Sequence, residues 1–331
     1  MWKYLTESKY NELLSSFNLV NTSDIKKINK ILYGISNNID LNYEEIIIKK
    51  KNKNLRYLNE PSPILKSIQK RILKNVLEEK MISKCAYAYK KGLSTILNAK
   101  SHVGCKVILK LDIENFFDNI NFYKVYNSCF NENLYPKKLG MLLTNLCVYN
   151  GKLPQGSPTS GYISNIVLRN FDCNIDAYCK DKNINYTRYS DDMTFSGDFD
   201  IRKLIKFVNE LLYKEGFRLN KSKIKVVLNT TRQQVTGIVV NEKINLSKNY
   251  KRKIRQEVYY VLKYGVKSHI EKRNINLSCN RYLSVLLGKI NYVLTVNPND
   301  KEFINYKNEI KRIKNNWFYS FFVTYFFILH K

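Results

Sequence analysis

The sequence predicts an α+β fold, with helix-rich ends flanking a mixed middle, and three stretches carry that expectation. Behind the turn Pro61-Ser62-Pro63, the apolar residues Ile64, Leu65, Ile68, Ile72, Leu73, Val76 and Leu77 recur at the spacing of one helix face. Val107, Leu109 and Leu111 alternate instead, with the period of two that marks a strand, and Asp112 then falls on the opposite face beside Lys110. Further on, Lys248, Lys251, Arg252, Lys253 and Arg255 interleave with Tyr250, Ile254, Val258 and Leu262, which predicts a basic amphipathic helix over about 248–264.

The remaining elements follow in order. Residues 1–100 read mainly as helix, interrupted by Lys49-Lys50-Lys51-Asn52-Lys53-Asn54-Leu55-Arg56, a basic stretch that reads as a turn between two short strands. Leu153-Pro154-Gln155-Gly156-Ser157-Pro158 must be a loop, since its prolines and glycine fit neither regular element. Helical spacing resumes at Ile163, Ile166, Val167, Phe171, Ile175 and Tyr178. Asn185–Tyr189 and Met193–Ser196 read as two strands joined by a tight turn at Ser190-Asp191-Asp192. No internal repeat or Pro/Gly/Ser-rich linker interrupts the chain, so its parts are subdomains of one folding unit.

Composition narrows the class. A hydrophobic content of 44% with 13% aromatics suits a folded chain of 331 residues and excludes disorder. Fifty-six Lys and Arg against 28 Asp and Glu leave a formal charge of +28, which suits a polyanionic partner; an AT-rich genome, which favours Lys, Asn, Ile and Tyr, is a second source of the same excess. The 7 cysteines are widely spaced and form no C-x-x-C pair, which argues against a zinc site or a disulfide framework and for reduced, buried thiols in the cytoplasm. Met1-Trp2-Lys3-Tyr4 meets charge too early for a secretory leader. The apolar, aromatic run from Trp317 to Leu329 is short of the about 20 residues of a spanning helix. It reads as a core or dimer segment, with membrane association the alternative.

Three acids point to a chemistry. Joining nucleotides calls for two divalent ions about 3.5–4 Å apart, one on the attacking hydroxyl and one on the leaving phosphates. Mg²⁺ is a hard cation that prefers oxygen, so such a site needs carboxylates on a rigid platform. Asp112 ends a strand, and Asp191 and Asp192 occupy a hairpin turn. Acids in turns are usually only solvated, so the weight of these three comes from the residues around them.

Those surroundings resemble bacterial reverse transcriptases. Leu111-Asp112-Ile113-Glu114-Asn115-Phe116-Phe117 resembles that family's motif A, and Leu153-Pro154-Gln155-Gly156-Ser157-Pro158-Thr159-Ser160 its motif B. Tyr189-Ser190-Asp191-Asp192 resembles motif C, with Ser where Ala is more usual, and Leu219-Asn220-Lys221-Ser222-Lys223 resembles motif D. The likeness covers roughly residues 45 to 300 in the family's order and spacing. It implies a right-hand polymerase with fingers, a palm built on an antiparallel sheet and a helical thumb. On that likeness, 1–105 is the N-terminal region and fingers, 106–238 the palm with a fingers insertion at about 120–152, and 239–331 the thumb with the aromatic segment.

The resemblance also assigns roles. Asp112 and Asp191 bridge two Mg²⁺ ions, Asp192 is the less directly engaged acid, and the Ile113 carbonyl adds a ligand. Phe117 matches the aromatic gate whose ring leaves no room for a ribose 2′-hydroxyl, while Phe116 reads as core. Gln155, on a loop freed by Gly156, contacts the incoming dNTP; Arg56 binds its triphosphate, a task suited to a bidentate guanidinium. Which of Lys49 to Lys53 joins Arg56 is open, and Lys223 reads either as the proton donor to pyrophosphate or as a surface lysine. Gly161 stands where the family usually has Pro, which loosens the start of the following helix.

Three further features resemble the retron type: Asn98-Ala99-Lys100-Ser101-His102 for its N-A-x-x-H element, Val235-Thr236-Gly237 for its V-T-G element, and a length without room for maturase or endonuclease regions. His102 by itself would read as a core or capping histidine. The resemblance implies a cognate structured non-coding RNA as template and primer, a branched RNA–DNA product, an RNA–DNA hybrid held along Lys248, Lys251, Arg252 and Arg255, and an accessory effector in anti-phage defence. Another bacterial reverse transcriptase, of abortive-infection or group II-like kind, and a silent RNA-binding protein on the same scaffold are the alternatives.

Overall fold

The computed structural model describes residues 6–49 and 55–328, with residues 316–328 described by backbone alone. Lys50 to Lys53, among the lysines considered for the triphosphate, and the side chains of the aromatic segment from Trp317 lie outside this description. The chain divides into two compact units: Met1–Ser101 with Cys105–Leu228, and His102–Gly104 with Asn229–Lys331.

The first unit opens with α1 (Glu7–Ser16) and α2 (Ile25–Asn37), the latter started by the Asp24 carboxylate accepting from the Lys26 and Lys27 amides. Strands β1 (Tyr43–Lys49) and β2 (Leu55–Pro61) pair antiparallel from Tyr43↔Pro61 to Lys49↔Leu55, the two strands expected around the basic turn. Helix α3 (Pro63–Ile72) has Pro at its first turn and Ser62 as cap, then widens into a π-helical turn at Leu73–Leu77. It buries Leu65, Ile68 and Ile72 on the face the spacing predicted.

After α4 (Thr95–Lys100) comes β3 (Val107–Asp112), the strand read from its alternation. Helices α5 (Phe122–Val125), α6 (Lys137–Cys147), α7 (Ser160–Val167) and α8 (Arg169–Asp181) follow. The hairpin β4 (Asn185–Tyr189) and β5 (Asp192–Gly197) then leads into α9 (Ile201–Lys214) and β6 (Lys225–Leu228). The strands form one antiparallel sheet in the order β4-β5-β3-β6. Leu109, Leu111, Met193 and Phe195 lie in the hydrophobic core, and Tyr186 stacks on its cross-strand partner Phe195 with ring centroids 4.9 Å apart. Helix α9 buries Leu204, Val208 and Leu212 at four-residue intervals, each burial contributing about 1.5–3 kcal/mol as an upper estimate.

The second unit carries a small hairpin, β7 (Gln234–Val235) and β8 (Ile238–Val239). Its two-residue turn is Thr236-Gly237, both in the left-handed region at φ 47° and 85°, which is the backbone a tight hairpin demands and Gly supplies. Four helices follow: α10 (Lys248–Tyr264), α11 (Val266–Lys272), α12 (Cys279–Val296) and α13 (Lys301–Ile328). Helix α10 matches the predicted span and buries Ile254, Val258 and Val261. Among the described residues no helix is long and apolar enough to cross a membrane.

Candidate active site

Antiparallel pairing of β3 with β5 places Asp112 opposite Asp192, and Asp191 is the residue before. The Ile113 amide donates to the Asp191 carbonyl at 3.2 Å, closing the end of β3 onto the turn. Residues far apart in the chain are thereby brought together at one end of the sheet, as the three-acid reading requires. Ser190, at φ 63°, turns the chain so tightly that Asp191 projects from the hairpin tip.

A cleft of about 590 Å³ opens here, lined by Asp112, Ile113, Phe116, Phe117 and Asp191 with Lys223, Arg56 and Gln155. The electrostatics of its floor are those of crowded like charges. Partial burial, then the neighbouring charges of Asp191 and Asp112, push the Asp192 carboxyl up to about 6 against the smaller opposing pull of Lys223 and Lys110. The Lys223 ammonium lies 2.9 and 2.8 Å from the two oxygens of Asp112. Burial disfavours its charge, but the Asp112 hydrogen bonds and the three acids together hold it above its ordinary value.

These donors fit a divalent cation. They are hard carboxylate oxygens in charge excess, and the Lys223 ammonium already lies against Asp112 as a cation would. Among the described residues no three such side chains close on a common point as they stand; Lys223 instead holds the Asp112 carboxylate.

The wall opposite is built from the β1–β2 hairpin and the 153–158 loop. The Asn59 amide donates to the Gln155 carbonyl at 2.7 Å, and Arg56 Nε donates to Gln155 Oε1 at 3.1 Å, so the two expected nucleotide contacts touch each other. Gly156 sits at φ 124°, and a Cβ there would lie 2.8 Å from the Asn59 carbonyl oxygen, so only Gly permits the approach. Below, the buried Gln69 of α3 accepts from the Ser157 hydroxyl at 2.9 Å and anchors the loop. Phe117 is 9% exposed, tilted against Phe116 at 5.2 Å.

Behind the turn lies a network the sequence reading missed. Arg188, fully buried, donates to both Asp172 oxygens at 2.9 and 2.7 Å, to Asn165 Oδ1 at 3.1 Å and to the Ser190 carbonyl at 2.9 Å. Its sequence signal was an arginine at an inward position of an otherwise closed strand, which demands a buried acid somewhere.

The other expected residues are placed differently. Asn98 is 1% exposed with neither amide atom partnered, and His102 and Val235 are fully buried, so none presents a side chain to solvent. Thr236 and Gly237 form the β7–β8 turn. On α10, Lys248 and Arg252 are exposed, whereas Lys251 pairs with Asp300 at 2.9 Å and Arg255 with Glu302 at 2.7 Å. Half of the cations expected to face nucleic acid are thus engaged within their own unit.

An antiparallel sheet bearing acids at one end, under a hairpin and loop that frame a nucleotide-sized cleft, defines the right-hand class of nucleic-acid polymerase. Residues 48–255 match the reverse transcriptase (RNA-dependent DNA polymerase) family. The chain is 30% identical over 238 residues to the retron Ec86 reverse transcriptase of Escherichia coli, an alignment covering 70% of this chain and 73% of that one. It is 28% identical over 280 residues to the retron Mx65 reverse transcriptase of Myxococcus xanthus, covering 78% and 62%. The telomerase of Candida albicans, solved with a fragment of telomeric RNA, superposes with a TM-score of 0.45 at 12% identity over 87% of this chain and 68% of that one, a likeness too loose to bear on function. The chain belongs to the reverse transcriptases of bacterial retron type, which are RNA-directed DNA polymerases.

Proposed function

We propose that this polymerase copies part of a cognate structured non-coding RNA into DNA with two Mg²⁺ ions, beginning from a 2′-hydroxyl of that RNA and leaving a branched RNA–DNA. Its fingers, palm and thumb would be 1–105, 106–238 and 239–331, acting in the cytoplasm as one arm of anti-phage defence beside an effector. The observation that carries the catalytic part is the register of β3 against β5, which brings Asp112 beside Asp191 and Asp192, with Asp112 and Asp191 lining the cleft.

Asp112, Asp191, Asp192 and the Ile113 carbonyl would hold the ions. When bound, these supply charge neutralisation at the attacking and leaving oxygens. The chain's own groups do the rest. Arg56 would orient the triphosphate, and its bond to Gln155 supports this by tying the arm to the loop expected to contact the incoming dNTP. The Phe117 ring, held by Phe116, closes the space a 2′-hydroxyl would need. Lys223, protonated and beside Asp112, would give a proton to the departing pyrophosphate. Asn98, His102, Val235, Thr236 and Gly237 serve RNA by shaping the surface around them, and Lys248 and Arg252 meet the hybrid's phosphates directly.

The test is incorporation of labelled dNTP on a primed RNA template with Mg²⁺. Asp191→Asn should lower the rate by about 10³-fold, the loss of several kcal/mol of transition-state stabilisation. Equal incorporation by both proteins removes the assignment. Sequencing the nucleic acid that co-purifies from the host tests the RNA partner and the branch.

A further inference from the structure

Two departures from the family pattern, Gly161 and Ser190, lie far apart in the chain and touch the same side chain. Tyr89 lays its ring over Gly161: a Cβ at that buried glycine would fall well inside van der Waals contact of Tyr89 Cγ, Cδ1 and Cδ2. The Tyr89 hydroxyl is 3.2 Å from the Ser190 hydroxyl, which belongs to the residue before Asp191. Tyr89 itself sits at φ 57°, a backbone that a bulky side chain adopts only when its surroundings require it.

Those surroundings are visible. The Tyr87 amide donates to the Arg188 carbonyl at 2.8 Å, and the Arg188 amide donates to Cys85 at 2.7 Å, so the 85–87 segment runs beside β4. Asn165 of α7 donates to the Ala88 carbonyl at 2.8 Å while accepting from Arg188. The turn is therefore gripped from two sides: Arg188 holds the Ser190 carbonyl and Tyr89 holds its hydroxyl. An alanine at 190 would offer Tyr89 no partner, and any side chain at 161 would evict the ring.

We propose that Tyr89 is a positioning residue that sets the angle of the acidic turn, and that Gly161 and Ser190 are a matched pair that admits it. The proposal rests on the polymerase reading above. In this chain the ring over Gly161 supplies the restraint at the start of α7 that the glycine gives up.

The test uses the full chain and two readouts, turnover on a primed RNA template and affinity for Mn²⁺ alone measured by electron paramagnetic resonance. Tyr89→Phe and Ser190→Ala should each lower the turnover rate and weaken Mn²⁺ binding by roughly threefold to tenfold, the worth of one hydrogen bond. The melting temperature should stay within a degree or so of wild type, since the bond lies at a half-exposed ring. The double variant should be no worse than either single one. Gly161→Ala should be impaired, and adding Tyr89→Ala should return it to the level of Tyr89→Ala alone. Effects that multiply in the double variant, a Tyr89→Phe protein equal to wild type, or a change confined to template KM overturns the proposal. A wild-type chain that binds Mn²⁺ but extends no primer refutes the polymerase reading, and the Mn²⁺ series still decides the role of Tyr89.

Discussion

At the tip of the β4–β5 hairpin, Asp112, Asp191 and Asp192 crowd against one another with the Lys223 ammonium beside them, and Asp192 is driven up to about 6. At the start of α13, Asp300 and Glu302 each face a cation of α10, at 2.9 and 2.7 Å. The same residue types are paired one for one at that helix start and left in excess at the hairpin tip. Excess charge costs stability, so an uncompensated cluster of acids is a mark of a candidate functional site. Directly behind the crowded turn, Arg188 and Asp172 show a third arrangement, a fully buried and fully bonded pair.

The contrast can be broken first at that buried pair. Arg188→Met leaves Asp172 charged without its partner and should cost about 3–5 kcal/mol, read as a urea midpoint; a loss below 1 kcal/mol would mean the pair does not anchor the turn. Next comes the crowded turn. The Asp192 proton is held in the folded chain up to about pH 6 and released by the unfolded chain near 3.8. Stability from this group therefore falls as pH rises between those values, and the whole penalty is present above them. In metal-free buffer at pH 8, Asp192→Asn should be more stable than wild type by on the order of 1 kcal/mol, since solvent at the exposed edge of Asp192 screens its neighbours' charges. The two should converge below about pH 4, and a variant less stable at pH 8 would contradict the crowding.

The balanced pairs should respond weakly. Glu302→Gln should cost about 0.2–1 kcal/mol in thermal melts, with the loss shrinking in high salt. The smallest effect on folding belongs to the exposed cations of α10. Lys248→Ala with Arg252→Ala should leave the melt unchanged yet lower the salt slope of hybrid binding by about 1 for each phosphate contact removed. An unchanged slope would place the hybrid elsewhere.

Much of this was legible in the residues. Period two in Val107–Leu111 marks β3, apolar spacing marks α3 and α10, and the flanking motifs single out Asp112 and Asp191, which line the cleft. Such signals are local, and local periodicity reports which face is buried. Pairings between polar side chains carry no period. Lys223 with Asp112, Arg188 with Asp172 and Tyr89 with Ser190 are long-range bonds, and α10 gave no hint that Lys251 and Arg255 would be claimed by Asp300 and Glu302. The N-A-x-x-H element carries a retron resemblance, while Asn98 and His102 are interior, since a motif names residues without saying which way they point.

Gly156 has a mechanical meaning for the arm above the cleft. With the Asn59 carbonyl occupying the space of a missing methyl group, strand β2 rests directly on the loop, and Arg56 is carried on that same strand. The guanidinium is therefore tied to the loop twice, by the Asn59–Gln155 backbone bond and by its own bond to the Gln155 side chain, so strand and loop are coupled as one lever.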